Sequence, residues 1–511
     1  MTKDNRTPRT ETRRKAQMEA RRKRNAGLWF NYENRGRGRL RSGVAVLALA
    51  LGLAACGTDG PRDPIGLTAV SHGVETGQER RDRQTTAGVR ETDSTDPWFA
   101  GAAIADEPAA ALLARQVLEQ GGNAADAAAA IYFGLSVTYP AAAGLGGGGI
   151  CLVRKGGTAT VDTISFLTRN PRGGGAIAVP GNVRGFALLH ARYGSLPWGS
   201  VVGPAERLAA TGSPVSRATA RQLAASSATI GASPALRRIF MTPGGAIASE
   251  LDVVTRFQLA ATLAQVRSQG VGGFYAGQTA NRLVDAAAAA GGTLSLDDLR
   301  DYRPDVAPAQ SLNAGTGTLW LPASSVGAGA YNAALWSNIG DASPAELAEI
   351  ARRTAVGLGA PADIDRDFGS TAFAAIDGKG GAVACAVTMN GPFGTGRVAE
   401  GTGIVFATAP ANATLGLGSA FLAPVIVTGA NGERLRFAGA GAGAPKGAAS
   451  ILYMAKNAAS TSSAFSALEA SPADAASPAG AIVCTEGAGS CALGINPRGD
   501  GMGITAVASG S

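Results

Sequence analysis

From about residue 98 onward, the first part of the chain shows helical spacing of apolar residues. Residues 107–119 carry Ala, Leu and Val at helical spacing and end at two glycines, which commonly stop helices. Asn123 is placed to cap a second helix over residues 124–134. Three further helices are predicted at 253–269 with Asp252 as its cap, at 276–290, and at 296–301 with Ser295 as its cap.

The later part of the chain has a different pattern. After Ser370, short runs rich in β-forming residues are separated by turns that contain glycine. The predicted strands are 102–104 and 150–154 in the first part, and 373–377, 382–389, 424–427 and 434–437 in the second, with a hairpin at 378–381. A helix-rich segment followed by a strand-rich one favours an α+β fold in which helices pack on antiparallel sheet.

Residues 144–149 formally contain the spacing G-x-G-x-x-G of a dinucleotide-binding loop. In such a loop the glycines run from a strand into a helix, so that phosphate meets the helix N-terminus. Here they run from a helix into a strand. The sequence therefore argues against a nucleotide cofactor, and we predict none.

The N-terminal part of the chain divides into three segments. Residues 1–42 contain fourteen Lys or Arg and four Asp or Glu, which leaves the rest of the chain with a net charge of −2 out of the overall +8. We interpret this leader as a disordered basic arm, and the acidic body as unsuited to nucleic acid. Residues 57–95 are polar and without apolar period, which is typical of a tether.

Between leader and tether, residues 43–55 form a short apolar run that ends in small residues before Cys56. The run is too short to span a bilayer and is typical of an export signal. Leu53-Ala54-Ala55-Cys56 resembles the bacterial lipobox. The resemblance implies lipidation at Cys56, a mature chain that starts there, and a periplasmic protein anchored to the outer membrane.

Histidine and cysteine usage limits the chemistry. The chain has two histidines, His72 in the tether and His190 in a helical segment, which disfavours both a Ser-His-Asp triad and a His-rich zinc site, and we predict no metal. Cys484 and Cys491 flank a loop that a disulfide would close. Cys151 and Cys385 lie in apolar runs and are expected to be buried thiols.

Motifs along residues 98–511 together resemble the γ-glutamyltranspeptidase family of N-terminal-nucleophile hydrolases. They are Gly121 to Ala127, Gly144 to Gly149, Val179 to Gly181, Tyr193-Gly194, Gly273 to Gly277, Gly291-Gly292, Asp297 to Leu299, Ser370-Thr371, Asp377, Thr388 to Asn390, Phe393 to Gly396 and Asn496 to Gly501. The resemblance implies a four-layer αββα sandwich, and a precursor that cuts itself into a large-subunit-like segment, 96–369, and a small-subunit-like segment, 370–511. These two fragments would form a heterodimer.

By the same resemblance, the nucleophile is Ser370, counted back from Asp377 and from Asn390. The α-amine freed by cleavage acts as the general base, and an amine with a pKa of about 8 can do so without a histidine. Thr371 would support the nucleophile and Thr388 would bond its hydroxyl or amine. Asn390 would bind the substrate.

The resemblance also assigns two backbone N–H donors for the oxyanion. The matching stretch is 437–443, and the donors are expected at Ala442 and Gly443, within about one residue. The simpler alternative is that these residues form only a glycine-rich connection.

The positions that bind glutamate in the family depart from its pattern. Ile164 stands where the family has the arginine for the α-carboxylate, and Arg169 or Arg172 would have to substitute for it. Residues 407–410 lack the acidic partner for the ammonium, and Ala420-Phe421 replace a pair of serines. A charged amino-acid head group would therefore be poorly paired.

Three hypotheses follow. The first is a self-processing γ-glutamyltransferase or γ-glutamyl hydrolase that cleaves amides such as glutathione through a Ser acyl-enzyme. The second keeps the fold, the cut and Ser370 but assigns a different acyl or amide substrate. The third is a non-catalytic envelope lipoprotein on the same scaffold.

Overall fold

A computed structural model describes residues 98–362, 364, 367–412, 414–460, 479–485, 487, 489–495 and 499–508. The leader, the signal with Cys56, the tether with His72, and residues 363, 365 and 496–498 lie outside this part. Within it, no helix is long and apolar enough to cross a bilayer.

Most strands belong to two antiparallel sheets. They are β1 Phe99–Ala105, β2 Gly148–Arg154, β3 Val161–Ser165, β4 Ser213–Pro214, β5 Val253–Val254, β6 Asp305–Pro308, β7 Gln310–Ala314, β8 Gly317–Leu321, β9 Ser370–Asp377, β10 Ala382–Thr388, β11 Val398–Ala399, β12 Ile404–Val405, β13 Ala423–Gly429, β14 Leu435–Gly441, β15 Ala479–Cys484, β16 Cys491–Ile495 and β17 Met502–Val507. One sheet has the order β17-β1-β9-β10-β2-β3-β6, and the other β16-β15-β14-β13-β8-β7.

Helices occupy most of the sequence between β3 and β6, and others lie before and after it. They are α1 Pro108–Glu119, α2 Ala124–Thr138, α3 Pro140–Ala143, α4 Asn182–Tyr193, α5 Trp198–Thr211, α6 Arg217–Ala225, α7 Ser227–Ala232, α8 Pro234–Phe240, α9 Phe257–Gln269, α10 Gly272–Tyr275, α11 Gly277–Ala289, α12 Leu296–Asp301, α13 Gly327–Ile339, α14 Leu347–Gly357 and α15 Pro445–Ser460. A 3₁₀ turn covers Thr414–Ser419. The predicted α+β class is confirmed.

Side chains on β9 alternate between two cores, as the period of a strand requires. Phe373 and Ala375 join a core shared with α1 and α2, whereas Ala374 and Ile376 join a core shared with β13 to β16 of the six-stranded sheet. A further core lies between that sheet and helices α13 to α15. Ser370 has the parity of Ala374 and Ile376, so its side chain faces the other sheet.

Side-chain caps fix the beginning of several helices. Asn123 begins α2 with a capping box in which Asp126 bonds back to its backbone N–H, and Ser295 caps α12 in the same way. The predicted cap at Asp252 is wrong, because its carboxylate bonds the backbone and hydroxyl of Ser249 instead. Val253 lies in the short strand β5, so the helix begins four residues later, at Phe257.

The cysteine predictions have mixed outcomes. The disulfide between Cys484 and Cys491 is confirmed. The prediction of buried thiols at Cys151 and Cys385 is wrong, because these two residues form a disulfide. They lie directly opposite each other on β2 and β10, 234 positions apart in sequence. A single sequence does not show that pairing, because it depends on strand register.

Candidate active site

Ser370 is the first residue of β9, and the backbone before it is tightly constrained. β9 is a central strand, and Ser370 lies opposite Thr388 at the end of β10. Gly369 has φ +59°, and a Cβ added there would lie 2.2 Å from the backbone of Gly391. Ser370 itself is 5% exposed. The uncleaved chain therefore holds the Gly369–Ser370 peptide bond in one place, beneath neighbouring backbone.

A backbone donor reaches the Ser370 hydroxyl from the opposite sheet. The Gly443 N–H donates to Ser370 Oγ at 2.8 Å, and Gly443 lies in the turn between β14 and α15. Ala442, the other predicted donor, is buried in one cluster with Ala372 of β9. The structure thus brings both residues to the start of β9, with the Gly443 N–H in contact with Oγ.

Two donors also meet the carbonyl oxygen of the peptide bond before Ser370. The Met389 N–H donates to Gly369 O at 2.9 Å, and the Thr388 hydroxyl lies 3.3 Å from the same oxygen. That hydroxyl is also 3.1 Å from Phe368 O, so its one proton is shared between two carbonyls. Donors at a carbonyl oxygen polarise the bond and stabilise negative charge that develops there.

Asn390 adopts an uncommon backbone conformation directly after β10. Its φ is +56°, and its N–H donates to Thr388 Oγ1 at 2.9 Å. Its Nδ2 donates to Thr168 Oγ1 at 2.9 Å and to Thr408 O at 2.8 Å. In the uncleaved chain both amide protons of Asn390 therefore have protein partners, and its predicted role in substrate binding stays a prediction.

Thr371 points to a residue that the sequence did not single out. Its hydroxyl donates to Asp106 Oδ2 at 2.6 Å, and the Ala372 N–H donates to the same oxygen at 3.0 Å. Burial raises the pKa of Asp106 to about 6, although both hydrogen bonds act in the opposite direction. The sequence does show an acidic residue at the end of the first strand. Its contact with Thr371 cannot be predicted without knowing how β1 and β9 align.

The guanidinium that we predicted to bind substrate has other partners. Arg169 forms an ion pair with Asp305 at 3.0 Å, donates to Arg303 O and lies over the ring of Tyr302. Its neighbour Thr168, by contrast, contacts Asn390. The structure therefore directs the Arg169 side chain toward Asp305. Arg172, the other substitute, pairs with Asp301 at 2.7 Å.

Three of the remaining positions of the expected glutamate site are apolar and buried. Ile164 is fully buried on β3, between Cys151 on β2 and Val306 on β6. Ala407 and Phe421 are buried as well. These positions offer no charged side chain to an amino-acid head group.

Two other polar residues have structural contacts. Asp377 accepts backbone N–H groups from Lys379, Gly381 and Ala124, which fixes the β9–β10 turn. His190 contacts Leu196 O at 2.9 Å and packs on Trp198. Among the described residues, no cluster of three or more His, Cys, Asp or Glu has the arrangement of a metal site.

Comparison with known proteins gives a family model that matches part of the chain, and similar proteins of several names. The sequence model of the family described as Gamma-glutamyltranspeptidase matches residues 110–342. "Glutathione hydrolase 2" of Arabidopsis thaliana is 31% identical over 223 residues, which are 41% of this chain and 38% of that protein. "Acylase ACY 1 proenzyme" of Pseudomonas sp. (strain V22) is 30% identical over 229 residues, 40% of this chain and 41% of that protein. The chain thus spans about two fifths of the length of the curated relatives it matches.

Similarity of fold extends further than similarity of sequence. The crystal structure of cephalosporin acylase from Bacillus halodurans superposes with a TM-score of 0.66 and covers 88% of this chain and 99% of that one. The two sequences are 18% identical. This likeness concerns the fold alone.

Proposed function

The chain belongs to the γ-glutamyltranspeptidase family, and from that membership we propose that it is an amide hydrolase that first cuts its own Gly369–Ser370 bond. The observation that carries the proposal is the pair of donors, Met389 N–H and Thr388 Oγ1, on the carbonyl oxygen of that bond. The expected αββα layering is part of the same proposal. It is supported by three cores: one between helices and the seven-stranded sheet, one between the two sheets, and one between the six-stranded sheet and helices.

In the proposed self-cleavage, Ser370 Oγ attacks the carbonyl carbon of Gly369. Negative charge then develops on the Gly369 oxygen, where Met389 N–H and Thr388 Oγ1 already lie. The C–N bond breaks, the nitrogen takes a proton and becomes the α-amine of Ser370, and an ester joins Gly369 to Oγ. Water hydrolyses that ester, which leaves a carboxylate on Gly369 and restores the hydroxyl.

The cut also opens the site. Before it, Phe368 N–H donates to Gly443 O at 3.2 Å, and Phe368 O accepts the Gly391 N–H at 2.7 Å. Ser370, which follows this segment, is 5% exposed. We propose that the segment before the cut moves away and that a substrate acyl group takes its place.

In the mature enzyme, the Ser370 α-amine takes the proton of its own hydroxyl as Oγ attacks a substrate amide. The Gly443 N–H, 2.8 Å from Oγ in the uncleaved chain, is proposed to stabilise the charge that forms beside that atom. The protonated amine then gives its proton to the leaving nitrogen. Water releases the acyl group, or an acceptor amine takes it in a transfer reaction.

For the substrate, the geometry favours an acyl group without a charged amino-acid head. Ile164 and Ala407 are buried, and Arg169 is paired with Asp305. A γ-glutamyl substrate, with glutathione as the example, is the second candidate, and the family match to residues 110–342 favours it. We propose that both classes reach Ser370 through the same chemistry.

The location is a proposal as well. Cys56 lies outside the described residues, so lipidation and anchoring to the outer membrane rest on the signal-like residues 43–56. The two disulfides support an oxidising compartment, because such bonds persist outside the reducing cytosol. Periplasmic export is the proposal that fits both.

Electrophoresis under reducing conditions tests the self-cleavage. We expect two fragments whose junction, by N-terminal sequencing, is Gly369/Ser370, and an intact chain for Ser370→Ala. Ser136→Ala is the matched control, because it removes a buried hydroxyl that bonds Phe133 O within helix α2, and it should be cut normally. An intact wild-type chain would instead support a non-catalytic scaffold.

Release of p-nitroaniline tests the substrate class. The cut enzyme should hydrolyse simple acyl anilides with a higher kcat/KM than γ-glutamyl p-nitroanilide. The reverse order would favour the γ-glutamyl candidate.

A further inference from the structure

Asp106 connects the two proposed fragments next to the nucleophile. It lies directly after β1, in the segment before the cut, and its Oδ2 accepts hydrogen bonds from the second and third residues of β9. The distances are 2.6 Å from Thr371 Oγ1 and 3.0 Å from Ala372 N. Thr371 is fully buried, so this contact is shielded from water.

The start of β9 needs such a partner because β1 ends early. The described register of β1 with β9 runs from Gly101 opposite Asp377 to Ala105 opposite Phe373. It does not reach residues 370–372, which pair with β10 on their other side. The Asp106 carboxylate takes the Ala372 N–H where a longer β1 would have supplied a carbonyl.

After the cut, Ser370 would be a chain terminus. Termini fray unless they are tied down, and a displacement of about 1 Å can cost a reaction roughly 100-fold in rate. We propose that Asp106 is a positioning residue, whose ionised carboxylate holds Thr371 and Ala372 and thereby keeps Ser370 at reaction distance. This inference rests on the proposed function.

The charge on Asp106 gives the proposal a distinct signature. Burial raises its pKa to about 6, so the carboxylate loses its charge as the pH falls through that value and becomes a weaker acceptor. The charged or titratable groups beside Asp106 are Glu107, next to it in sequence, Asp500, which precedes the Gly501 packed near Asp106 Cα, and, after the cut, the α-amine of Ser370. Tyr139, just after α2, interacts electrostatically with Asp106, Asp367, Glu107 and Arg221.

Asp106→Asn and Thr371→Val test the positioning role in the full-length, cut enzyme. We expect each to lower kcat at least 10-fold with a smaller change in KM, and the double variant to be no slower than the slower single variant. The wild-type rate should fall with the protonation of the Ser370 α-amine and fall more steeply as the pH drops through about 6, and Asp106→Asn should keep the first fall but lose the second. Asp298→Asn is the control, because it changes a buried carboxylate in the capping box of α12, and it should keep the wild-type profile.

The outcomes separate the inference from the function on which it rests. If the wild type is not cut, the proposed function fails. If the wild type is cut and active but Asp106→Asn keeps the wild-type kcat and pH profile, the positioning role is overturned. Should Asp106→Asn not fold, Thr371→Val decides: a slow enzyme with an unchanged melting temperature supports the role, and a wild-type rate overturns it.

The Cys151–Cys385 disulfide supports a second, independent inference about the mature protein. Cys151 precedes the proposed cut and Cys385 follows it, and both side chains are fully buried between paired strands. The Cys484–Cys491 bond lies wholly after the cut. We infer that the fragments, if cleavage occurs as proposed, remain joined covalently by the first disulfide.

Electrophoresis of alkylated protein tests this directly. Wild type should give one band without reductant and two with it, and Cys484→Ser/Cys491→Ser should behave identically. Cys151→Ser/Cys385→Ser should give two bands in both conditions. Two wild-type bands without reductant would overturn the covalent link, whereas one band in both conditions would mean that the proposed cleavage itself fails.

Discussion

Two sets of residues that the family resemblance assigns to the site, a reaction end and a recognition end, differ in the kind of group they offer. At the reaction end, defined by Ser370, Thr388 and Gly443, hydroxyl and backbone groups contact one another at 2.8 to 3.3 Å. The recognition end comprises Ile164, Ala407 and Phe421, which are buried apolar residues at the positions where the resemblance predicts glutamate binding.

This difference indicates that the reaction chemistry and the substrate specificity depend on different residues. An N-terminal nucleophile needs its own amine, its hydroxyl and fixed N–H donors, and the reaction end has the residues to supply them without a charged side chain. Binding an amino-acid head group needs paired charges, because an unpaired buried charge is costly. A chain can thus keep the first end while changing the second.

An arginine placed at the recognition end should cause the largest loss of stability among these variants. Ile164→Arg buries a charge between β2 and β6, and we expect a loss of about 4 kcal/mol in the free energy of unfolding by urea titration. Ile164→Val, the control, should cost about 1 kcal/mol. A folded Ile164→Arg enzyme with increased γ-glutamyl activity would break the comparison, because the position would then be open to substrate.

At the reaction end, Thr388→Val tests the donor to the scissile carbonyl. We expect self-cleavage to slow about 100-fold, because one of the two donors to Gly369 O is lost while the volume stays similar. Thr388→Ser keeps the hydroxyl and should remain within about 10-fold of the wild type. Equal rates for Thr388→Val and the wild type, from time courses of fragment appearance, would remove Thr388 from the proposed mechanism.

The reaction end was more accessible to sequence reasoning than its surroundings. Ser370, Thr388 and Gly443 were predicted from motifs at the beginning, at the end and just after a strand, and the structure brings the three together, while their catalytic roles stay predictions. Asp106 could not, because its role depends on β1 ending before the start of β9. The partners of Arg169 and the bond from Cys151 to Cys385 were missed for the same reason, since both arise from segments that only the folded sheet brings together.

A smaller effect is expected on the pH dependence of stability when Asp106 is replaced by Asn, and its sign can be derived. The folded pKa of Asp106, about 6, lies above the value of about 4 expected when unfolded. The folded state therefore holds more protons between these values, and its stability from this group falls as the pH rises from 4 to 6. Asp106→Asn lacks that loss, so its melting temperature relative to the wild type should rise over this range. A relative decrease would contradict the burial of an ionised carboxylate.

Arg169→Gln should change stability and activity least, which would show that this arginine is not part of the recognition end. The ion pair with Asp305 is largely exposed, so we expect less than about 1 kcal/mol in stability. Because the guanidinium is directed to Asp305 and Tyr302, kcat/KM for acyl and γ-glutamyl anilides should change less than about twofold. Arg172→Gln, which removes the pair with Asp301, is the control. A KM that rises more than 10-fold for the γ-glutamyl anilide alone would place a carboxylate-binding cation at the recognition end after all.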